Sequence, residues 1–220
     1  MSASIHCPKH GLQNSNPNTE HAVACEKCFP RKIILQLCAD TGSDTKPFND
    51  AGYDVRLIGK SIGVENYHPS KNVYGIIANP VCTEFSTARS DGKARNPQEG
   101  MKLVIECQRI IKEANPHFWV IENPAKGVLK NYLGEPTYQY EPWWYGSPWT
   151  KKTALWGKFN IPERKYFNWN DVPKIDGLYI RPTRPKPFSF VGCCFTHSQK
   201  MSGLIDIFPN KKCACVSFGA

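Results

Sequence analysis

Four short apolar runs separated by polar, glycine- and proline-bearing stretches limit what this chain can fold into. Ile33-Ile34-Leu35-Gln36-Leu37, Val73 to Ala78 and Phe118 to Ile121 are short and almost uniformly apolar, which predicts buried strands, and the second run, Tyr53 to Ile58, is expected as a strand although it carries Asp54 and Arg56. Between the third and fourth runs, Asn96-Pro97 supplies a capping residue and a proline suited to the first helical position. Leu103, Val104, Cys107, Ile110, Ile111 and Ala114 then recur on one helical face, predicting a helix to about Ala114 that Pro116 ends, with Cys107 in the core. A shorter helix is expected from Thr45 to Ala51, stopped by Gly52. Strands alternating with helices imply an α/β, Rossmann-like domain: a mainly parallel sheet with helices on both faces. In such sheets ligands collect beyond the carboxyl ends of the strands. Asp40, Cys82 and Glu122 each fall just past a strand end, so one rim gathers them.

With 220 residues the chain can bury one full core plus a small appendage. Three parts are expected: residues 1–32, a catalytic-type domain over 33–162, and a short basic module over 163–220. No apolar run is long enough to span a bilayer and the N-terminus lacks a signal-peptide pattern, so a soluble, cytoplasmic protein with no membrane partner is expected. The net charge is +9, and residues 158–220 hold ten Lys/Arg against four Asp/Glu, or +6 of it. Tyr166, Trp169, Tyr179 and Phe188 are interleaved with these cations, a composition suited to a nucleic-acid face.

Ten cysteines in a cytosolic chain point to metal binding and catalysis rather than a disulfide framework. Cys7-Pro8-Lys9-His10 and Cys25-Glu26-Lys27-Cys28 are two knuckles joined by a loop that includes Gly11 to Thr19. Four N/S ligands at that spacing suit a closed tetrahedral zinc site, structural in role because it leaves no open position. Cys193, Cys194, His197, Cys213 and Cys215 form either a second zinc site or a set of buried thiols.

Four segments, in order, resemble motifs of the DNA cytosine-5 methyltransferase family, particularly its short phage-type members. The likeness covers about residues 33–162. Leu37 to Ser43, with Lys46-Pro47-Phe48 and Ala51-Gly52-Tyr53-Asp54-Val55 after it, is similar to the family's cofactor motif. Asn79-Pro80-Val81-Cys82-Thr83-Glu84-Phe85-Ser86 resembles its Pro-Cys nucleophile loop, and Glu122-Asn123-Pro124 its Glu-Asn dipeptide. Thr150 to Gly157 resembles the basic motif that holds the base and the adjacent phosphate. The resemblance implies that Cys82 thiolate adds to C6 of a cytosine while Glu122, kept protonated by burial, donates to N3 and C5 becomes nucleophilic. It also implies a flipped base in a DNA partner. Cys38, Ala39, Asp40, Thr41, Gly42, Asn79 and Pro80 would then hold the cofactor, and Ser86, Arg89, Asn123, Lys151, Lys152 and Thr153 the substrate. The setting implied is the cytoplasm of a bacterial or phage-infected host cell.

The donor side departs from the family's pattern. Asp40 stands where its first glycine is expected, no acid ends the second strand near Ile58-Gly59, and none starts the next segment near Gly63-Val64 unless Glu65 substitutes. Val81 replaces the proline before the nucleophile. Asp40 is expected to face the donor's own carboxylate or to replace a close backbone approach, and either effect should weaken S-adenosylmethionine binding. Two donors follow: S-adenosylmethionine by family default, giving 5-methylcytosine, or 5,10-methylenetetrahydrofolate, giving 5-hydroxymethylcytosine. Trp143, Trp144, Tyr145 and Trp149 are candidates to stack on a folate ring or on bases. Two other readings compete: a non-catalytic zinc-containing DNA-binding relic, and an enzyme acting on free dCMP.

Overall fold

The computed structural model describes residues 4–14, 27, 30–86, 94–147 and 150–173. Strands β1 (Ser4–Cys7) and β2 (Gly11–Asn14) form a small antiparallel hairpin of their own. A six-stranded sheet follows, built from β3 (Ile33–Leu37), β4 (Asp54–Ile58), β5 (Val73–Ala78), β6 (Phe118–Pro124), β7 (Tyr138–Tyr140) and β8 (Thr153–Lys158). Its order is β4-β3-β5-β6-β8-β7. The first four strands are mutually parallel, while β8 runs antiparallel to both β6 and β7. A mixed α/β sheet of mostly parallel strands is thus present.

Because successive side chains of a strand point to opposite faces, the largely apolar strands β3, β5 and β6 feed two cores. On one face Leu35, Leu37, Ile76 and Ala78 pack with Val104, Cys107 and Ile110 of helix α2 (Pro97–Ala114). On the other, Ile34, Ile77 and Val120 pack with Phe48 of α1 (Lys46–Asp50), Tyr74, Phe118 and Tyr140. This second face is covered mainly by aromatic rings, Tyr53, Tyr138, Trp144 and Tyr145 among them, and by one short helix. Aromatic side chains bury enough area each to stand in for a long helix there. A third short helix, α3 (Lys130–Leu133), follows β6. Gly75 on β5 leaves room for Phe118 opposite it: a Cβ at Gly75 would lie 1.9 Å from the Phe118 ring.

Helix α2 starts and stops as its end signals predict. The Asn96 side chain accepts from Glu99 N at 3.2 Å, and Asn115 takes the left-handed conformation at φ 43° to end it. Arg109 on α2 donates to Val64 O at 2.9 Å and Tyr67 O at 3.0 Å, pinning the connection between β4 and β5, including the 3-10 turn Val64–Asn66.

Three expectations need correction. Gly11–Asn14 is a strand paired back on Ser4–Cys7, not the start of a loop. Tyr138–Tyr140, where no element was expected, and Thr153–Lys158, read only as part of a basic motif, close the sheet as β7 and β8. Trp144 and Tyr145, considered as stacking platforms, are committed to the protein itself: both pack on the second core, and Tyr145 Oη lies 2.9 Å from Tyr138 Oη. The chain just past residue 162 packs back as well, with the Arg164 guanidinium 4.7 Å from the Trp143 ring and 4.2 Å from that of Trp144. No helix among the described residues is long and apolar enough to cross a membrane.

Candidate active site

Parallel pairing sets the site. Ala78 at the end of β5 lies opposite Ile121 of β6, so Asn79 and Glu122 follow at the same level. Two side-chain bonds tie the strands there. Asn79 Nδ2 donates to Glu122 Oε2 at 3.3 Å, and Asn123 Nδ2, in a residue 1% exposed, donates to Pro80 O at 3.0 Å. Beyond Pro80 the chain turns at once: Phe85 N and Ser86 N both donate to Cys82 O, at 3.0 and 2.8 Å. Phe85 is fully buried, its carbonyl accepts from Val128 N at 2.9 Å, and Arg95 Nε donates to Ser86 O at 3.0 Å. Glu84 Oε2 accepts from Asn96 N at 2.6 Å, linking the turn to the start of α2. The half-buried Cys82 is thus carried on a turn clamped from both sides.

The other flank comes from β8. Its antiparallel register sets Thr153 opposite Pro124 and Leu155 opposite Glu122, and Ala125 N donates to Lys152 O at 2.9 Å. Thr153, fully buried, donates from Oγ1 to Lys151 O at 2.8 Å. Lys151 Nζ then stands 3.6 Å from Glu122 Oε1, so a cation, a carboxylate and an amide converge. Lys152 is exposed. Burial first, then the Glu122 and Asp44 charges, pushes the Tyr140 phenol well above its ordinary value. Burial also raises the Glu141 carboxyl, against the Lys151 backbone N–H and the charges of Lys152 and Lys126, which lower it. Asn79 Oδ1 and Asn123 Oδ1 are buried and accept no hydrogen bond among the described residues. Buried acceptors in that state suit a ligand bringing N–H donors.

The rim beyond β3 and β4 is built differently. Cys38 N donates to Ile58 O at 2.9 Å, extending the ladder, and Cys38 itself sits at φ 59°, a conformation rare outside glycine. Asp40 Oδ1 accepts from Lys60 N at 2.9 Å and lies over Gly59, where a Cβ would come within 1.8 Å of it. Asp40 therefore turns its carboxylate to the end of β4. Gly42 is at φ 67°, packed on Leu57, and Thr45 Oγ1 closes the loop with a 2.6 Å bond to the buried Gln36 Oε1. Ala39 is buried and Thr41 exposed. Glu65, on the 3-10 turn, is near enough for its charge to act on the Cys38 thiol, as Asp40 does. The Asp40 carboxylate thus sits at the end of β4, while that of Glu65 lies over Gly63.

The amide of Asn79, a residue expected at the cofactor, faces Glu122. Sequence reasoning missed Tyr140, Glu141 and the Gln36–Thr45 bond, although a glutamine inside an apolar run was a visible signal that some buried group needed a partner. In the N-terminal hairpin Cys7 Sγ lies 3.7 Å from His10 Nδ1. Among the described residues no group of three or more His, Cys, Asp or Glu could hold a metal. Arg89, Trp149, Cys25, Cys28, Cys193, Cys194, His197, Cys213 and Cys215 lie outside the described residues.

The family model for C-5 cytosine-specific DNA methylase matches residues 9–139, more than half of the chain. No curated protein matches. Among solved structures, one similar to this chain is a candidate DNA modification methyltransferase encoded within an E. coli prophage, at 16% identity and a TM-score of 0.43. The match covers 58% of this chain and 47% of that one, about half its length, and is too distant to bear on the site.

Proposed function

Because the chain belongs to the C-5 cytosine-specific DNA methylase family, we propose that it methylates C5 of cytosine in DNA, with Cys82 as nucleophile, Glu122 as the acid at N3 and S-adenosylmethionine as donor. The observation that carries this reading is the pair of cross-ties, Asn79 to Glu122 and Asn123 to Pro80, which fixes the root of the Cys82 turn beside the Glu122 carboxyl. Cys82 sulfur adds to C6 while Glu122 delivers a proton at N3, so charge drains from the ring and C5 becomes an enamine carbon. Loss of the C5 proton later expels the sulfur and restores the aromatic ring. Lys151 compensates the charge left on Glu122, and the open acceptors Asn79 Oδ1 and Asn123 Oδ1 suit the exocyclic amine of cytosine. Ser86, Lys152, Thr153 and Arg89 complete the substrate side, and the base must leave the helix to reach it.

Cys38, Ala39, Asp40, Thr41, Gly42 and Glu65 would hold the donor, which supplies an electrophilic methyl group when bound. The folate alternative rested on missing acids. Asp40, reaching from its loop to the end of β4, supplies a carboxylate on that rim, which supports S-adenosylmethionine. DNA incubated separately with each donor, digested and read as nucleosides by mass spectrometry, decides the matter. 5-Methylcytosine with S-adenosylmethionine alone is expected; 5-hydroxymethylcytosine formed with 5,10-methylenetetrahydrofolate would overturn the donor assignment.

Cys7 and His10, with Cys25 and Cys28, are proposed to bind one structural zinc. Their Sγ–Nδ1 separation of 3.7 Å is close to the roughly 3.5 Å that adjacent S and N ligands of a tetrahedral zinc require. Metal analysis of the purified protein should return zinc, and Cys7→Ser should abolish it. Residues 1–32, 33–162 and 163–220 are retained as the proposed domain division, the last as a basic DNA-facing module.

A further inference from the structure

Two thiols outside the proposed chemistry lie against each other. Cys38 Sγ, just past β3, and Cys107 Sγ, on α2, are 3.6 Å apart although 69 residues separate them in the chain. We propose that they form a redox-sensitive dithiol, a modification site whose disulfide staples the donor loop to α2 and weakens donor binding. The gating half of this proposal rests on the donor assignment above; formation of the disulfide does not.

The two sulfurs differ as an attacking and a resolving thiol should. Cys38 is partly exposed, so an oxidant can reach it, whereas Cys107 is fully buried in the core beneath it. The hydrogen bond from Cys107 holds the Cys38 thiol below its ordinary value, against burial and the charges of Glu65 and Asp40, which raise it. The same bond, then burial, drives Cys107 upward. Thiolate character at the exposed member is what selects the sulfur that reacts first.

The chemistry balances with a hydroperoxide as oxidant. Cys38 thiolate attacks one peroxide oxygen, the O–O bond breaks, and hydroxide leaves to be protonated, giving Cys38 sulfenic acid. Cys107 sulfur then attacks Cys38 sulfur, the S–O bond breaks, and water departs with the Cys107 proton. Two thiols lose two electrons and two protons, and hydrogen peroxide becomes two waters.

The disulfide must shift the donor loop. Bonded sulfurs stand about 2.05 Å apart, well short of the present separation. Arg109 anchors α2 to Val64 O and Tyr67 O, so the helix is the less mobile partner. Cys38 already occupies a left-handed conformation at φ 59° and precedes Ala39 and Asp40, whose carboxylate rests on Gly59 and Lys60 N. Drawing Cys38 toward α2 pulls Asp40 off the end of β4.

The test treats the full chain with hydrogen peroxide, maps tryptic peptides without reductant, and measures S-adenosylhomocysteine affinity by calorimetry before oxidation, after it, and after dithiothreitol. The expected result is a linked pair of peptides 33–56 and 103–109, an affinity loss of about tenfold or more, and recovery on reduction. Cys107→Ala and Cys107→Ser should both give no linked pair and leave Cys38 as a sulfenic acid that dimedone traps, and agreement between them guards against a packing defect in either. Peroxide that oxidises other cysteines while leaving 38 and 107 unlinked overturns the dithiol. A linked pair with unchanged affinity overturns the gating. A reduced protein that binds no S-adenosylhomocysteine sinks the donor assignment and the gating that rests on it, while the peptide map still decides the disulfide.

Discussion

Asn79 Nδ2 and Glu122 Oε2 are 3.3 Å apart across the ends of two neighbouring parallel strands, so the amide that roots the Cys82 turn also holds the carboxyl group on the next strand. Asn79 is in this sense a positioning residue. Asn79→Ala should lower kcat by about 10- to 100-fold, the worth of one hydrogen bond to a charged group. Affinity for S-adenosylhomocysteine should stay unchanged, because the side chain is turned to Glu122. A loss confined to donor affinity would return Asn79 to the cofactor side.

Gly59 makes room for the Asp40 carboxylate at the end of β4. A Cβ there would lie 1.8 Å from Asp40 Oδ1 and 2.9 Å from Ala39 O. Gly59→Ala should displace Asp40 and weaken S-adenosylhomocysteine binding by at least about tenfold, with DNA affinity in a gel-shift titration unchanged. Asp40→Ala should give the same split.

Gly75 is fixed by packing rather than chemistry. Gly75→Ala would drive a Cβ to 1.9 Å from the buried Phe118 ring between β5 and β6. Overpacking of that kind costs about 1–3 kcal/mol or more, so thermal unfolding should shift down by several degrees. Gly75→Ala combined with Phe118→Leu should recover part of the loss.

What the sequence made legible follows from how local each signal is. Helix α2 could be bounded because Asn96, Pro97 and the stripe from Leu103 to Ala114 each act within a turn or two. The buried strands β3 and β5 were readable because Ile33–Leu37 and Val73–Ala78 present apolar residues on both faces. Strand β7 has only three residues and exists through its pairing with Thr153–Leu155, information that no local window contains. Trp144 and Tyr145 looked like ligand platforms because nothing local announces that α1 is too short to cover its face of the sheet. Of the site, Cys82 and Glu122 stood out as reactive groups after apolar runs. The Asn79 bond, the reach of Asp40 to Gly59, and the Cys38–Cys107 contact are tertiary and could not be read.

Glu141 gives the protein a pH dependence with a definite sign. Burial raises its carboxyl above the ordinary carboxylate value, and its Oε2 is buried without a hydrogen-bond partner among the described residues. The folded state therefore binds this proton more tightly than the unfolded state. Its contribution to stability is fully present below the unfolded value and is lost as pH rises through the raised one. Glu141→Gln should remove that loss, so the difference in melting temperature between variant and wild type should grow in favour of the variant as pH rises from about 4 and then level off. A difference that is flat with pH would contradict the assignment.

The central claim is that Cys82 sulfur bonds to the pyrimidine ring while Glu122 protonates it. DNA containing 5-fluorocytosine, incubated with the protein and S-adenosylmethionine, tests this most directly, since fluorine at C5 cannot leave as a proton and the adduct is trapped. The account predicts a denaturation-resistant protein–DNA species whose cross-link maps to the Cys82 peptide, absent in Cys82→Ala and about 100-fold slower to form in Glu122→Gln. A cross-link at another residue, or methylation of ordinary DNA that survives Cys82→Ala, would contradict it.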